Sequence, residues 1–402
     1  MRILAALLLS AVVAQGQSLP QKGVAEIDAL FQRVIQQGTV PGVVAIVATR
    51  NQILYHNAFG LQDVGKNKPM QKESIFRIAS MTKPVTSAAI MMLVEQGKLK
   101  LDDPVSKYLP EFVGREVVAN FNPADGTLTT RKPATEVQIH HLLSHTSGLA
   151  YGFSNTTIAP LQQKTGKQAE DLPLLYDPGA RWTYSGSTKV LGRVVERVSG
   201  TTLDKFLNDN FLKPLGMNDT SYVVPADKTA RVVTTHNRTT GRLVETPNAA
   251  TIQSPVAGDG GLNSTAADYI KFLQMFLNDG KVQGKALLSK DTIQAMTKNQ
   301  IGAVVVDTQP AAAPITRPFP VAPAAGRDKF GFGFELTASN KENTNLRAAG
   351  SYTWAGIFNT HFWVDPKREI AAVLMIQVLP FYDDGAMKVY QDFEEAIGKN
   401  VR

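Results

Sequence analysis

Few residues in this chain can do covalent chemistry, because it contains no cysteine. That removes disulfides, a thiolate nucleophile, thiolate metal ligation and a lipidated cysteine of the lipoprotein type. The remaining candidate nucleophiles are hydroxyls, and one has an amine at a useful spacing. Ser80-Met81-Thr82-Lys83 is the only Ser-x-x-Lys in the sequence, and Pro84 follows it directly. From Val85 to Gln96 the apolar residues Ala88, Ala89, Met92 and Leu93 recur as one face of a helix, with Gly97 as its stop. Proline fits only an opening turn, where no backbone donor is needed. This predicts Ser80 at or near the helix start and Lys83 one turn on, on the same face. A hydroxyl there lies among free backbone N–H groups at the positive end of the helix dipole. An amine beside it and screened from water gives up its proton more readily, and so can help deprotonate the hydroxyl. The same spacing also suits an N-cap serine with an exposed lysine, and partners elsewhere in the chain must decide.

A second constellation is Ile139-His140-His141-Leu142-Leu143-Ser144-His145-Thr146-Ser147-Gly148-Leu149. His141 and His145 have the i, i+4 spacing of two metal ligands on a helix. There is no intervening Glu and no third ligand nearby, so packing and loop-tethering hydrogen bonds are expected instead. No metal site or cofactor is predicted.

The elements that must position these residues follow from periodicity. Residues 20–38 carry Val24, Ile27, Leu30, Phe31, Val34 and Ile35 at helical spacing. Val43 to Ala48 is a continuous apolar run rich in β-branched residues and so a buried strand, with Gln52 to Gly60 as its hairpin partner. Leu61 to Ser74 and residues 113–135 read as loops, the latter with Asn122-Pro123 and Asp125-Gly126 as turn signals. Val190 to Val198 and Leu203 to Phe211 are amphipathic helices. Residues 220–255 look irregular, with strand-like runs at Arg231 to Thr235 and Arg242 to Glu245. Ser264-Thr265 caps a helix through Phe276, with Asp268 placed as in a capping box. Asp307 to Gly326, rich in Pro and Ala, is expected as a long surface loop of the kind that rims clefts. A meander of Phe330 to Leu336, Arg347 to Tyr352, Gly356 to Val364 and Glu369 to Gln377 follows, then a helix over Met387 to Ile397. The fold class predicted is α/β (α+β): an antiparallel sheet from both chain ends flanked by helices, with a mostly helical insertion. Its expected boundaries are 17–80 and 250–402 for the sheet domain and 81–249 for the helical one.

Composition narrows the function class. Hydrophobic residues at 43% and charged residues at 19% are ordinary for a globular enzyme. The formal charge of +7 is spread without basic blocks or interleaved aromatics, which argues against nucleic-acid binding. Residues 1–16 read as a secretory signal: Arg2 is the basic start, Ile3 to Ala14 an apolar stretch too short to span a bilayer, and Val12-x-Ala14 or Ala14-x-Gly16 the cleavage site. A secreted or periplasmic protein without membrane insertion after cleavage is expected.

Taken together, the motifs resemble the serine β-lactamase and penicillin-binding-protein superfamily, and within it class C β-lactamases and the family VIII carboxylesterases. The resemblance rests on Ser80-Met81-Thr82-Lys83, the His141 to Leu149 stretch, Pro178-Gly179 leading to Tyr184-Ser185, Gly260-Gly261-Leu262-x-Ser264-Thr265, and Trp354-Ala355-Gly356 entering a strand, in the family's order. It implies a sheet domain, a helical domain and a cleft between them. It also implies Ser80 as acylated nucleophile, Lys83 as its proton partner, and Tyr184 as the tyrosine of the family's Tyr-x-Asn motif. A tyrosine beside an ammonium can share a proton with it, drawing one from Ser80 and returning it to the leaving oxygen. The implied oxyanion hole is the backbone N–H of Ser80 and of Ile357.

Two departures bear on the substrate. Trp354-Ala355-Gly356 stands where lactamases and D-Ala-D-Ala peptidases carry Lys-Thr-Gly, so the cation and hydroxyl that clamp a substrate carboxylate are missing. Gly186 stands where the Asn of Tyr-x-Asn would hold an acylamide. Both changes leave a more apolar cleft with the acylation residues kept. The expected partner is a small-molecule ester, with a β-lactam, a D-amino-acid peptide or acyl transfer as alternatives using the same residues. Trp354 also suits simple cross-strand packing. Gly-x-Ser-x-Gly is absent, so the α/β-hydrolase route has no support.

Overall fold

The computed structural model describes residues 17–239, 241–319, 326–338 and 345–402. The expected signal segment, residues 1–16, lies outside them, as do 320–325 of the Pro/Ala-rich stretch.

The chain opens with helix α1 (Gln21–Gln36), then strands β1 (Gly42–Thr49), β2 (Ile53–Asp63) and β3 (Lys68–Pro69). Helix α2 (Thr82–Glu95) and helix α3 (Ser187–Ser199) follow, and α4 (Ala266–Leu277) leads back to the sheet. The last third supplies β4 (Lys329–Phe330), β5 (Glu335–Leu336), β6 (Tyr352–Gly356), β7 (Thr360–Asp365) and β8 (Ile370–Met375), then α5 (Asp384–Asn400). The eight strands form one sheet in the order β4-β5-β6-β7-β8-β1-β2-β3. Every neighbouring pair is antiparallel. The expected antiparallel sheet from both chain ends is therefore present, with β1 joined to β8 in the register Val44↔Met375 to Thr49↔Ile370.

The unbroken apolar run of β1 has a direct explanation. Successive side chains point to opposite faces, and both faces are covered. Val43, Ala45 and Val47 join Ile370, Ala372 and Leu374 in a core shared with α1 and α5. Val44, Ile46 and Ala48 join Ala371, Val373 and Met375 in the larger core that reaches α2, α3 and α4.

Several elements differ from expectation. Helix α2 is buried on every side from Thr82 to Leu93, not along one stripe, because it runs between sheet and helices. Residues 113–135 contain a hairpin, Val117–Asn122 with Thr127–Arg131, its turn at the expected Asn122 to Gly126. The 231–235 run is shifted: the strand is Thr235–Thr239, pairing with Arg242–Thr246. Thr265 caps α4 by accepting from the Asp268 backbone N–H at 3.1 Å. The box is only half formed, because the Asp268 carboxylate instead accepts from the Asp219 backbone and Thr220. In the meander the expected 330–336 strand is a tight hairpin of β4 and β5. The strand expected over Arg347 to Tyr352 is β6, starting where that run ends, and the turn before β7 falls at Ile357 to Asn359.

Candidate active site

Ser80 owes its position to a sharp change of direction. Phe76–Arg77 pairs antiparallel with Asn263–Ser264, and the Ile78 N–H donates to the Leu262 carbonyl at 3.1 Å. The chain then enters a single 3-10 turn, Ala79–Met81, that runs into α2. Ala79 takes a left-handed φ of +43°, a conformation that costs a residue with a Cβ about 1–2 kcal/mol. Such strain persists only where surrounding contacts hold it. Tyr269 on α4 donates to the Met81 carbonyl at 2.8 Å, and the Leu262 N–H donates to Thr82 Oγ1 at 3.3 Å. Gly356 lets a further segment approach this turn. A Cβ on Gly356 would fall inside van der Waals distance of the Ile78 carbonyl and of Thr360 Oγ1, so only glycine lets the end of β6 lie beside the nucleophile.

The structure brings the three expected side chains together. Lys83 Nζ lies 3.2 Å from Ser80 Oγ, and Tyr184 Oη donates to Ser80 Oγ at 2.7 Å. Lys83 is 1% exposed, so it is not the solvated first-turn lysine that the spacing alone also allows. Its ammonium group lies 4.8 Å from the Tyr184 ring centre. Trp354, Ala355 and Ile357 line the same cavity as Ser80. Gly186 lies beside it, where a Cβ would sit 3.6 Å from Tyr151 Cε1 and 3.9 Å from Asp259 Oδ2.

Two polar residues went unread in the sequence. Lys83 Nζ donates to Tyr151 Oη at 3.0 Å and to the Asp259 carbonyl at 2.8 Å, and Tyr151 Oη in turn donates to Asp259 Oδ2. Burial, reinforced by the Asp259 charge, pushes the Tyr151 phenol well above its usual range, so it remains an O–H donor. Tyr151 follows Gly148-Leu149-Ala150, and Asp259 sits inside the Gly258 to Gly261 turn. The only sequence signal was adjacency to motifs already singled out.

His145 supports the site from behind. It is held at φ +56°, and its Nδ1 lies 3.1 Å from Ser185 Oγ. Its ring is 5.3 Å from that of Tyr184 and stacks on Trp354 at 6.2 Å. Burial, and secondarily the Lys83 charge, pushes its pKa well below the ordinary value, so it is neutral. His141 accepts the Gln138 N–H through Nδ1 at 3.1 Å. Trp354 performs both suggested roles: it is buried against Tyr184 and Phe330, and it forms a wall of the cavity.

The remaining walls are Phe153, Phe319 and Phe381, enclosing about 330 Å³ including the open mouth. Phe319 belongs to the Pro/Ala-rich segment, which is seated across the cleft and not loose at the surface. Gln309 and Phe319 exchange backbone hydrogen bonds at 3.1 Å, the Ala312 N–H donates to the Phe153 carbonyl at 2.8 Å, and the Tyr184 N–H donates to Gln309 Oε1 at 3.2 Å. Among the described residues no cluster of His, Asp and Glu could hold a metal ion.

A sheet covered by helices on both faces, with a half-buried serine meeting a buried lysine and tyrosine in its cleft, defines a serine hydrolase of the β-lactamase type. The chain belongs to the Beta-lactamase family, whose model matches residues 27–396. It is 36% identical over 373 residues to protein Rv1367c of Mycobacterium tuberculosis, covering 88% of this chain and 90% of that one. It is 38% identical to esterase EstB of Burkholderia gladioli over 214 residues, about half of each chain (50% and 51%). It is 26% identical to the ML-236A carboxylate methylbutanoyltransferase of Penicillium citrinum over 94% of this chain and 95% of that one. Among solved structures, unliganded simvastatin synthase of Aspergillus terreus matches with a TM-score of 0.79 at 26% identity, covering 94% of this chain and 98% of that one.

Proposed function

We propose that the protein is a carboxylesterase that cleaves short-chain esters through a Ser80 acyl-enzyme. The observation that carries this reading is the contact of Ser80 Oγ with Tyr184 Oη at 2.7 Å and Lys83 Nζ at 3.2 Å beneath an aromatic, uncharged cavity. Ser80 Oγ attacks the ester carbonyl while its proton passes to the Lys83–Tyr184 pair. The tetrahedral oxyanion is received by the Ser80 and Ile357 N–H groups. The C–O bond to the alcohol breaks and the pair returns the proton to the departing oxygen. Water then gives a proton to the same pair and attacks the acyl carbon, the bond to Ser80 Oγ breaks with the pair returning that proton to Oγ, and the acid is released.

Trp354 stands where a lactam carboxylate would need a cation, and no side chain at Gly186 holds an acylamide, which favours esters over β-lactams. Transfer of the acyl group to an alcohol or amine is a second reading, favoured by the near full-length match to a methylbutanoyltransferase. The apolar start of the chain supports export to the periplasm or medium, which amino-terminal sequencing of the mature protein would test. The deciding experiment is a panel of p-nitrophenyl esters of increasing chain length, plus nitrocefin, on wild type and Ser80→Ala. Ester turnover that is lost in a folded Ser80→Ala protein is expected. Efficient cephalosporin hydrolysis with little p-nitrophenyl butyrate turnover would overturn the preference, and product analysis with competing alcohols separates hydrolysis from transfer.

A further inference from the structure

Asp259 has no place in the chemistry just described, yet it meets the nucleophile's partner once directly and once through Tyr151. Its main-chain carbonyl accepts from Lys83 Nζ at 2.8 Å, and its carboxylate accepts from Tyr151 Oη, which itself accepts from Lys83 Nζ at 3.0 Å. The direction of these bonds follows from what each group can offer. A carboxylate and a carbonyl can only accept, so the one hydrogen of Tyr151 goes to Asp259. The Tyr151 oxygen is then available to Lys83 only as an acceptor. Burial keeps that phenol protonated, in agreement.

The consequence falls on Lys83. A lysine nitrogen has four tetrahedral positions, one of which is its own side chain. Two of the other three must be hydrogens, aimed at Tyr151 Oη and the Asp259 carbonyl. The last position faces Ser80 Oγ, 3.2 Å away. It carries a proton in the ammonium form and the lone pair in the free amine. We infer that Asp259 is a positioning residue: by fixing the Tyr151 hydroxyl as an acceptor, it reserves the working position of Lys83 for Ser80. Without that acceptor Tyr151 can turn its hydrogen onto the Lys83 lone pair, and the amine that should receive the Ser80 proton is occupied.

The inference rests on the acyl-enzyme reading, and the test separates the two. Wild type, Asp259→Asn, Asp259→Leu, Tyr151→Phe and the Tyr151→Phe/Asp259→Leu double variant are compared on p-nitrophenyl butyrate. Rates of Ser80 labelling by a fluorophosphonate and melting temperatures are recorded alongside, and Asp259→Ala replaces the leucine variant if that one does not fold. Asp259→Asn keeps an acceptor oxygen and loses the charge, so a fall in kcat of about threefold is expected. Asp259→Leu removes the acceptor and is expected to lower both kcat and the labelling rate about 30-fold with KM within about threefold. In the Tyr151→Phe background the leucine change is expected to add less than about threefold, because no hydroxyl remains to turn. Equal losses in the asparagine and leucine variants, full additivity with Tyr151→Phe, or an effect confined to KM would overturn the inference with the acyl-enzyme reading intact. Absence of labelling at Ser80 in the wild type would overturn both.

Discussion

One wall of the cleft is built from regular elements and the other from loops. The first holds Ser80 in the turn that opens α2, Lys83 in its first helical turn, and Trp354, Ala355 and Gly356 at the end of β6. These residues are fixed by ladder hydrogen bonds and by a helix buried all round. The second holds Tyr151, Phe153, Tyr184, Asp259 and Phe319, none of which lies in an α-helix or in a strand of the large sheet. They are held by hydrogen bonds between irregular segments, such as Tyr184 N–H to Gln309 Oε1. The regular wall carries the nucleophile and its first partner. The irregular wall carries the groups that orient that partner and decide what fits, so alterations to the two should fail differently.

The largest effect belongs to the regular wall. Ser80→Ala is expected to reduce ester turnover by about 10⁴-fold or more with the melting temperature nearly unchanged, as measured by kcat/KM and calorimetry. Gly356→Ala should cost about 100-fold in kcat, because the added methyl pushes β6 off the Ile78 carbonyl and so shifts the Ile357 N–H relative to Ser80. A variant that retained wild-type kcat would break the claim that this contact sets the geometry. On the irregular wall, Phe319→Ala should act on selection and not on rate. Opening the cavity moves the preferred acyl chain to a longer one, by about tenfold in the ratio of octanoate to butyrate kcat/KM. Gln309→Leu, which leaves the Tyr184 N–H without its acceptor, should be milder still, at about three- to tenfold in kcat.

The last prediction concerns stability against pH and not rate. Burial holds His141 down to about 4 and His361 to about 3, and His145 lies well below its usual value. All three are neutral when folded, whereas the unfolded chain takes up protons near pH 6.5. The unfolded state therefore binds more protons in acid, and stability rises with pH across this range. Thermal melts should be flat above pH 7 and fall progressively from about 6.5 towards 4. A melting temperature that did not change over that interval would show that these rings are charged in the fold.

The same division explains what could be read beforehand. Ser80 and Lys83 are legible because they stand three positions apart and a helix turns that spacing into contact. The β1–β2 hairpin is legible from a single apolar run and its neighbour. Tyr151 meets Lys83 across 68 residues and Asp259 across 176, from loops without periodicity, so nothing local marks either. The β6–β7 turn was misplaced because Ile357 and Phe358 are apolar and look like strand. The turn depends on Asn359, which takes φ +61° and donates to the Val378 carbonyl at 2.8 Å. Residues 307–319 read as a surface loop from their Pro and Ala content, and composition did not reveal that Phe319 would be 1% exposed within the cleft.

The pairing of β1 with β8 has a temporal meaning as well as a spatial one. A strand completed by residue 49 must wait for a neighbour that begins at residue 370. Chain emerging from a ribosome cannot close the sheet until residues 370–375 have been synthesised. Contacts so distant in sequence make folding slow compared with a helical bundle of similar size. The hydroxyl at position 80 thus stays unarmed until the strand at residues 370–375 has followed it out of the ribosome.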